Sequence, residues 1–225
     1  MICMKSLILL KSISDGNHFM FSIKKSLCGS VIVNSLLIFL STFMVSQQSQ
    51  ALTVEEAFKL LARIPADYRV GGTVCEQLAR VRMAYKYPAQ QYKVETGIIY
   101  TNSNGHTLGE LDVVVFHRQS KRAIIVGEVK CWRNLKSAMK KARIQLQRFH
   151  SWLKANKQIH MYKSDNPQLR YHKKQFQSEH RILYFSQNGG EASGFNVSVG
   201  IQHSDIPQLQ KLLIKCQNAG KCPRP

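Results

Sequence analysis

The chain has 225 residues, 44% of them hydrophobic, so it can bury an ordinary core and wholesale disorder is excluded. Its 32 Lys and Arg against 13 Asp and Glu give a formal net charge of +19. That excess excludes cationic partners as the main target and points to a polyanion, nucleic acid first and an anionic membrane surface second.

The N-terminal region differs from the rest. Lys24 and Lys25 precede the uncharged run VIVNSLLIFLSTFMV (31–45), and SQQSQA follows, with Ser49 and Ala51 at small-residue positions. A basic flank, a short apolar run and a small-x-small site are the three parts of a secretory signal. The run is shorter than the roughly 20 residues a spanning helix needs. An uncleaved membrane anchor is the alternative. Met1, Met4 and Met20 are all candidate starts, and Met20 gives the most ordinary signal length. Residues 1–51 are therefore set apart as a signal peptide or N-terminal extension, and 52–225 are read as one domain. That domain keeps 28 basic and 12 acidic residues, so it carries the charge. An exported, periplasmic or secreted protein is expected.

Within the domain, Thr53 and Glu56 form a capping-box pattern opening the helix VEEAFKLLARI, which stops near Pro65. After Gly71–Gly72, TVCEQLARVRMAY reads as a second helix, with Val74, Leu78, Val81 and Tyr85 lining its buried face. YKVETGIIYT (92–101), LDVVVF and AIIVGEVKCW are strands, the last two joined as a hairpin by HRQSKR. A long helix over about 134–155 follows, its seam formed by Leu135, Met139, Ala142, Leu146, Phe149 and Leu153. The segment 163–180 is polar and basic and reads as a surface excursion. HRILYFSQ (180–187) and FNVSVGIQ (195–202) are further strands, and DIPQLQKLLIKCQ (205–217) is a closing helix. The order predicts an α/β (α+β) fold, a mixed central sheet flanked by helices.

Four cysteines lie in the domain, and no Cys/His spacing suggests zinc. An even count in an exported chain permits two disulfides in three connectivities. Cys216 and Cys222 bracket a short loop; pairing them leaves Cys75 for Cys131.

The chemistry concentrates in GELDVVVFHRQSKRAIIVGEVKCW (109–132), where carboxylates interrupt two apolar strands. If the hairpin turn centres near Ser120, Asp112 stands opposite Glu128 on one face, and a one-residue slip would separate them. Two neighbouring carboxylates on an apolar sheet repel each other and are costly to desolvate unless a cation joins them. Oxygen ligands in a hydrated site suit Mg²⁺, with Mn²⁺ as substitute. Lys130, one pleat beyond Glu128, would sit beside that ion and act on a water or a phosphate. Glu110 is the competing carboxylate, assigned to the opposite face, and Glu95 on the preceding strand is another within reach. His106, His117 and His150 are read as surface histidines.

Asp112, with Glu128-Val129-Lys130 closing the next strand, resembles the motif of the PD-(D/E)xK nuclease superfamily, over roughly residues 74–150. Leu111 stands where the Pro of the name would be. Glu76 in the preceding helix and Gln145 in the following one correspond to positions that often join such sites. Gln147 rivals Gln145, but Gln145 sits at the edge of the apolar seam and is better aimed at the sheet. The resemblance implies a restriction-endonuclease-like core and a Mg²⁺-dependent phosphodiesterase acting on nucleic acid, DNA by analogy, through metal-activated water. It makes Asp112, Glu128 and the Val129 carbonyl metal ligands, with Glu76 as a supporting ligand. Lys130 assists, and Gln145 holds the site or a phosphate.

Basic side chains supply a phosphate-tracking surface: Lys136, Lys140 and Arg143 on one face of the long helix, Lys141 and Arg148 beside it, and Arg118, Lys121 and Arg122 in the hairpin turn. In RYHKKQF, Tyr171 and Phe176 are candidates for stacking on bases. Two other functions fit the same sequence: a non-catalytic nucleic-acid-binding protein on a degenerate nuclease scaffold, and a basic envelope-associated interaction protein.

Overall fold

The structure, a computed structural model, describes residues 51–155, 158–177 and 179–225. The signal or anchor reading of 1–50 lies outside them. Among the described residues no helix is long and apolar enough to cross a membrane.

The elements in chain order are α1 (Val54–Leu61), α2 (Thr73–Lys86), β1 (Tyr92–Asn102), β2 (Thr107–His117), β3 (Ala123–Val129), α3 (Leu135–Lys154), β4 (Ile159–Lys163), β5 (Asn166–Tyr171), β6 (Arg181–Ser186), β7 (Val197–Ser198) and α4 (Ile206–Asn218). The strands form one mixed sheet in the order β5-β4-β1-β2-β3-β6-β7. Pairings are antiparallel from β5 through β3, while β3–β6 and β6–β7 are parallel. The α/β class read from the pattern is therefore the one found.

Each helix is placed by its apolar stripe. Ala57 and Leu61 of α1, Val74, Leu78 and Met83 of α2, and Leu209 and Leu213 of α4 form one core layer against Val113, Val115 and Ile125 of the sheet. On the other face Leu146 and Phe149 of α3 pack with Val114, Phe116 and Val126. The capping box of α1 is present: Glu56 N–H donates to Thr53 Oγ1 at 3.2 Å, and Thr53 N–H donates to Glu56 Oε2 at 2.9 Å. Both disulfides form, Cys75–Cys131 and Cys216–Cys222. They fit a protein that matures in an oxidising compartment.

Three expectations fail, each for a packing reason. The buried stripe of α2 runs through Cys75, Ala79 and Met83 as well as Val74 and Leu78, which leaves Tyr85 94% exposed. The stretch 163–180 is no surface excursion. It contributes edge strand β5 and a 3₁₀ turn over Lys173–Phe176, whose outward residues are polar while Tyr171 and Phe176 are buried. Tyr171 stacks on Phe116 with ring centroids 5.5 Å apart, and Phe176 meets Phe149 edge-on, so neither ring is free for bases. The strand expected over 195–202 shrinks to Val197–Ser198, although Phe195, Val199 and Ile201 are buried as an apolar run demands.

One irregularity in the sheet positions everything that follows. On β2, Val113 and Val115 face the α1/α2/α4 layer, but Leu111 faces the α3 layer together with Val114 and Phe116. Strict alternation would put 111 with 113. β1 makes the same switch: Thr96 accepts a hydrogen bond from Gln77 of α2 at 3.3 Å, whereas Ile98 lies in the α3 layer. Thr96 pairs with Val113 and Ile98 with Leu111, so Gly97 and Asp112 stand across from each other at the switch. Gly97 has φ +65°, a left-handed conformation that glycine adopts at little cost.

Candidate active site

Asp112 therefore sits, buried, where β2 switches its side chains from one core layer to the other. Val113 pairs with Gly127, Val114 with Val126 and Val115 with Ile125. One further step in this register sets Asp112 opposite Glu128, the pairing expected from a turn centred at Ser120. The bulge in the hairpin falls between Val115 and Phe116, on the turn side, and leaves that register intact.

Lys130 lies just past the end of β3 and its main chain is fixed by β6. Its N–H donates to Phe185 O at 3.0 Å, and its carbonyl accepts from Ser186 Oγ at 2.8 Å. From this anchor the ammonium donates to Glu128 Oε1 at 2.5 Å, to the Val129 carbonyl at 3.1 Å and to Asp112 Oδ2 at 3.3 Å. The Val129 N–H also donates to Asp112 Oδ2, at 2.8 Å. Two carboxylates and a carbonyl thus converge on one cation, the same three oxygens that the sequence motif assigns to a metal.

The electrostatics are those of a buried, acid-rich pocket. Glu128 is fully buried, and its Oε2 has no hydrogen-bond partner. Burial, then the Asp112 charge, pushes the Glu128 carboxyl far above the usual carboxylate range, against the opposing pull of Lys130. Burial alone would lower Lys130, but Asp112 and Glu128 together hold its pKa above the ordinary lysine value, so it stays an ammonium.

Glu76 enters from the first turn of α2. The N-cap, Gly72, has φ +97°, and a Cβ there would lie 3.1 Å from Glu76 Oε1, so a larger residue would crowd the carboxylate. Burial first, then Asp112 and Glu110, raise Glu76 to about 8, with Lys130 pulling the other way. Asp112 thus acts on Glu76 across the gap between β2 and α2. Glu110, expected to be turned away, lines a cleft with Glu76, Gln77, Thr96, Gly97 and Lys163. Burial and then Asp112 raise its carboxyl as well. Local spacing gave no signal for Glu110, since the side-chain switch that turns it inward, where Gly97 stands across from Asp112, is seen only once β1 and β2 pair.

The remaining expectations divide. Gln145 is half-buried with an Oε1 that finds no partner, while Gln147 is exposed, so Gln145 is the inward one of the two. Lys136, Lys140 and Arg143 are exposed on α3 and line one shallow groove with Ser193. Arg118 and Lys121 lie at the far end of the hairpin, about 20 Å from Asp112 at the usual strand rise. Arg118 is spent on structure, since its Nε donates to the carbonyls of Ala89 and Tyr92. Lys121 holds a left-handed turn position at φ +56°, its carbonyl accepting from Gln175. Glu95 forms an ion pair with Lys93 and acts on Tyr171 rather than on this cluster. His150 is not a surface histidine: its Nε2 is buried and its ring stacks on His180, centroids 5.0 Å apart.

The oxygen set suits a hard divalent ion, and the unpartnered Oε2 of the buried Glu128 is an acceptor that a cation would satisfy. Among the described residues, no group of three or more His, Cys, Asp or Glu side chains is arranged to hold a metal. The set at Lys130 is of another kind, two carboxylates and a main-chain carbonyl. Compared with known proteins, the chain matches no family model, no curated protein and no solved structure.

Proposed function

We propose that this chain is an exported, metal-dependent nuclease of the PD-(D/E)xK kind, hydrolysing phosphodiester bonds of nucleic acid, with DNA the favoured substrate. The observation that carries the reading is the convergence of Asp112 Oδ2, Glu128 Oε1 and the Val129 carbonyl on a single cationic point, beside the unpartnered Glu128 Oε2. The two disulfides and the signal-like grammar of residues 24–51 support export.

In this reading Asp112, Glu128 and the Val129 carbonyl hold Mg²⁺, or Mn²⁺ in its place, and the ion supplies Lewis acidity toward the phosphate and an activated water. The chain's own groups do the rest. Lys130, released from the carboxylates, presents a positive charge to the oxygens of the phosphorane-like transition state. Glu76 would support the ion or hold a metal-bound water, giving up to the ion the proton that burial lets it keep in the metal-free site. Gln145 offers an amide to a phosphate oxygen. Lys136, Lys140 and Arg143 bind the flanking backbone without reading sequence.

One observation favours a second reading. The Lys130 ammonium already donates to all three oxygens. If it never yields them, the chain binds nucleic acid without cutting it. Incubation of purified protein with linear, circular and single-stranded DNA and with RNA, in Mg²⁺, Mn²⁺ or EDTA, separates the two. Cleavage that needs the divalent ion and disappears in Asp112→Ala and Lys130→Ala supports the nuclease. Salt-sensitive binding with no cleavage in any metal supports the binding protein and ends the first reading.

A further inference from the structure

The Cys75–Cys131 disulfide is attached to the site at both ends. Cys75 immediately precedes Glu76 on α2, and Cys131 immediately follows Lys130 beyond β3; the bridge spans a sequence separation of 56. The two sides are held differently. Lys130 is tied to β6 by two main-chain hydrogen bonds, and Gln187 Nε2 donates to the Trp132 carbonyl at 2.8 Å, so the Cys131 segment is anchored without the disulfide. The first turn of α2 is held by less: its N-cap, Gly72, provides no side-chain cap, and from this turn Val74 and the bridged Cys75 reach the core. Deeper turns of α2 are secured by Leu78, Ala79 and Met83 in the core. Loss of the bridge therefore leaves α2 docked but removes one of the two core anchors of the turn that carries Glu76, and lets that turn shift. The second disulfide, Cys216–Cys222, closes a separation of six at the end of α4 and adjoins no site residue.

We propose that the Cys75–Cys131 bond is a positioning device that holds the Glu76 carboxyl against the Asp112–Lys130 pair, so that turnover requires this one bond to be oxidised. The inference rests on the nuclease reading and adds its regulation. Reduction takes two electrons and two protons from a dithiol, leaving two cysteine thiols and a cyclic disulfide on the reductant. The chain is then poorly active while reduced and gains activity where disulfides form.

The test compares oxidised wild type, the double variant Cys75→Ala/Cys131→Ala and the double variant Cys216→Ala/Cys222→Ala, with folding followed by circular dichroism. Displacing a positioned group by about 1 Å costs on the order of 100-fold, so kcat should fall by that order in the first variant. The second variant should keep wild-type kcat. KM for DNA should move little in either, because Lys136, Lys140 and Arg143 sit on α3. A purely structural role fails a further measurement: Glu76→Gln should lower kcat in the wild type and add almost nothing in the Cys75→Ala/Cys131→Ala background. If that variant does not fold, folded wild type titrated with dithiothreitol carries the same test, since kcat must fall in step with the appearance of the Cys75 thiol while near-ultraviolet dichroism persists. Equal kcat with and without the bridge, or additive losses with Glu76→Gln, overturns the inference and leaves the nuclease standing. No cleavage by oxidised wild type overturns both.

Discussion

Lys130 holds with one ammonium the three oxygens that the nuclease reading gives to a divalent ion. In that reading the two roles exclude each other at any instant, so the ammonium would have to leave before the ion enters. Its side chain is only 13% exposed, and the carboxylates it bridges are more buried still. Removing one partner from such a cluster leaves a buried charge uncompensated, typically at about 3–5 kcal/mol. Lys130→Met should lower Tm in EDTA accordingly. Mg²⁺ should then raise the Tm of the variant by clearly more than it raises that of the wild type, because the ion meets the same oxygens without a competitor. Equal Mg²⁺ shifts in thermal melts of the two proteins would mean that ammonium and metal do not share a position.

At the scale of elements, the site depends on a twist shared by β1 and β2. Gly97 supplies it: a Cβ there would lie 2.4 Å from Ser164 Oγ and 3.1 Å from Glu110 Oε1, in a backbone conformation that side chains resist. Gly97→Ala should cost about 1–3 kcal/mol in urea unfolding and splay Glu110 from Glu76, while an unchanged midpoint would show that the twist is not strained by a side chain. α3 contributes the other element-level expectation. Replacing Lys136, Lys140 and Arg143 by Gln should reduce the slope of log affinity for DNA against log salt by about 2–3, as loss of up to three phosphate contacts requires, and a salt slope equal to that of wild type would remove this face from the interface. Much of this architecture was legible because it rests on local pattern. The seam of α3, the capping box at Thr53 and the hairpin register that sets Asp112 opposite Glu128 follow from spacing alone. The parts that were not legible depend on distant partners. Tyr171 and Phe176 look like surface aromatics among lysines until β5 pairs with β4 and turns them onto Phe116 and Phe149. Glu110 comes into the cleft where the sheet twists at Gly97, and the ring that stacks on His150 belongs to His180, thirty residues along the chain. Local periodicity carries no record of such contacts.

For the whole molecule, folding gathers acids that the unfolded chain keeps apart, and this has a signed consequence for pH. Glu76 rises from its ordinary value near 4.5 to about 8, and Glu110 and Glu128 rise as well. A carboxyl whose pKa is raised by folding keeps a proton that the unfolded chain has released. Its contribution is fully present below the unfolded value and is lost as pH climbs through the folded one. Lys130, also raised, adds a loss of the same sign, but only in the alkaline range. The chain's other charges also change with pH, so the wild-type slope alone does not isolate Glu76, and a comparison does. Glu76→Gln removes one titrating acid and leaves every other charge in place. Chemical denaturation in EDTA from pH 5 to 8 should show the wild type losing at least about 1 kcal/mol more than the variant over that range. Saturating Mg²⁺ should shrink this difference, because an ion among the acids favours their charged forms and displaces the retained proton. Parallel stability profiles for the two proteins in EDTA would place Glu76 in water, outside the acid cluster, and would remove it from the proposed catalytic set.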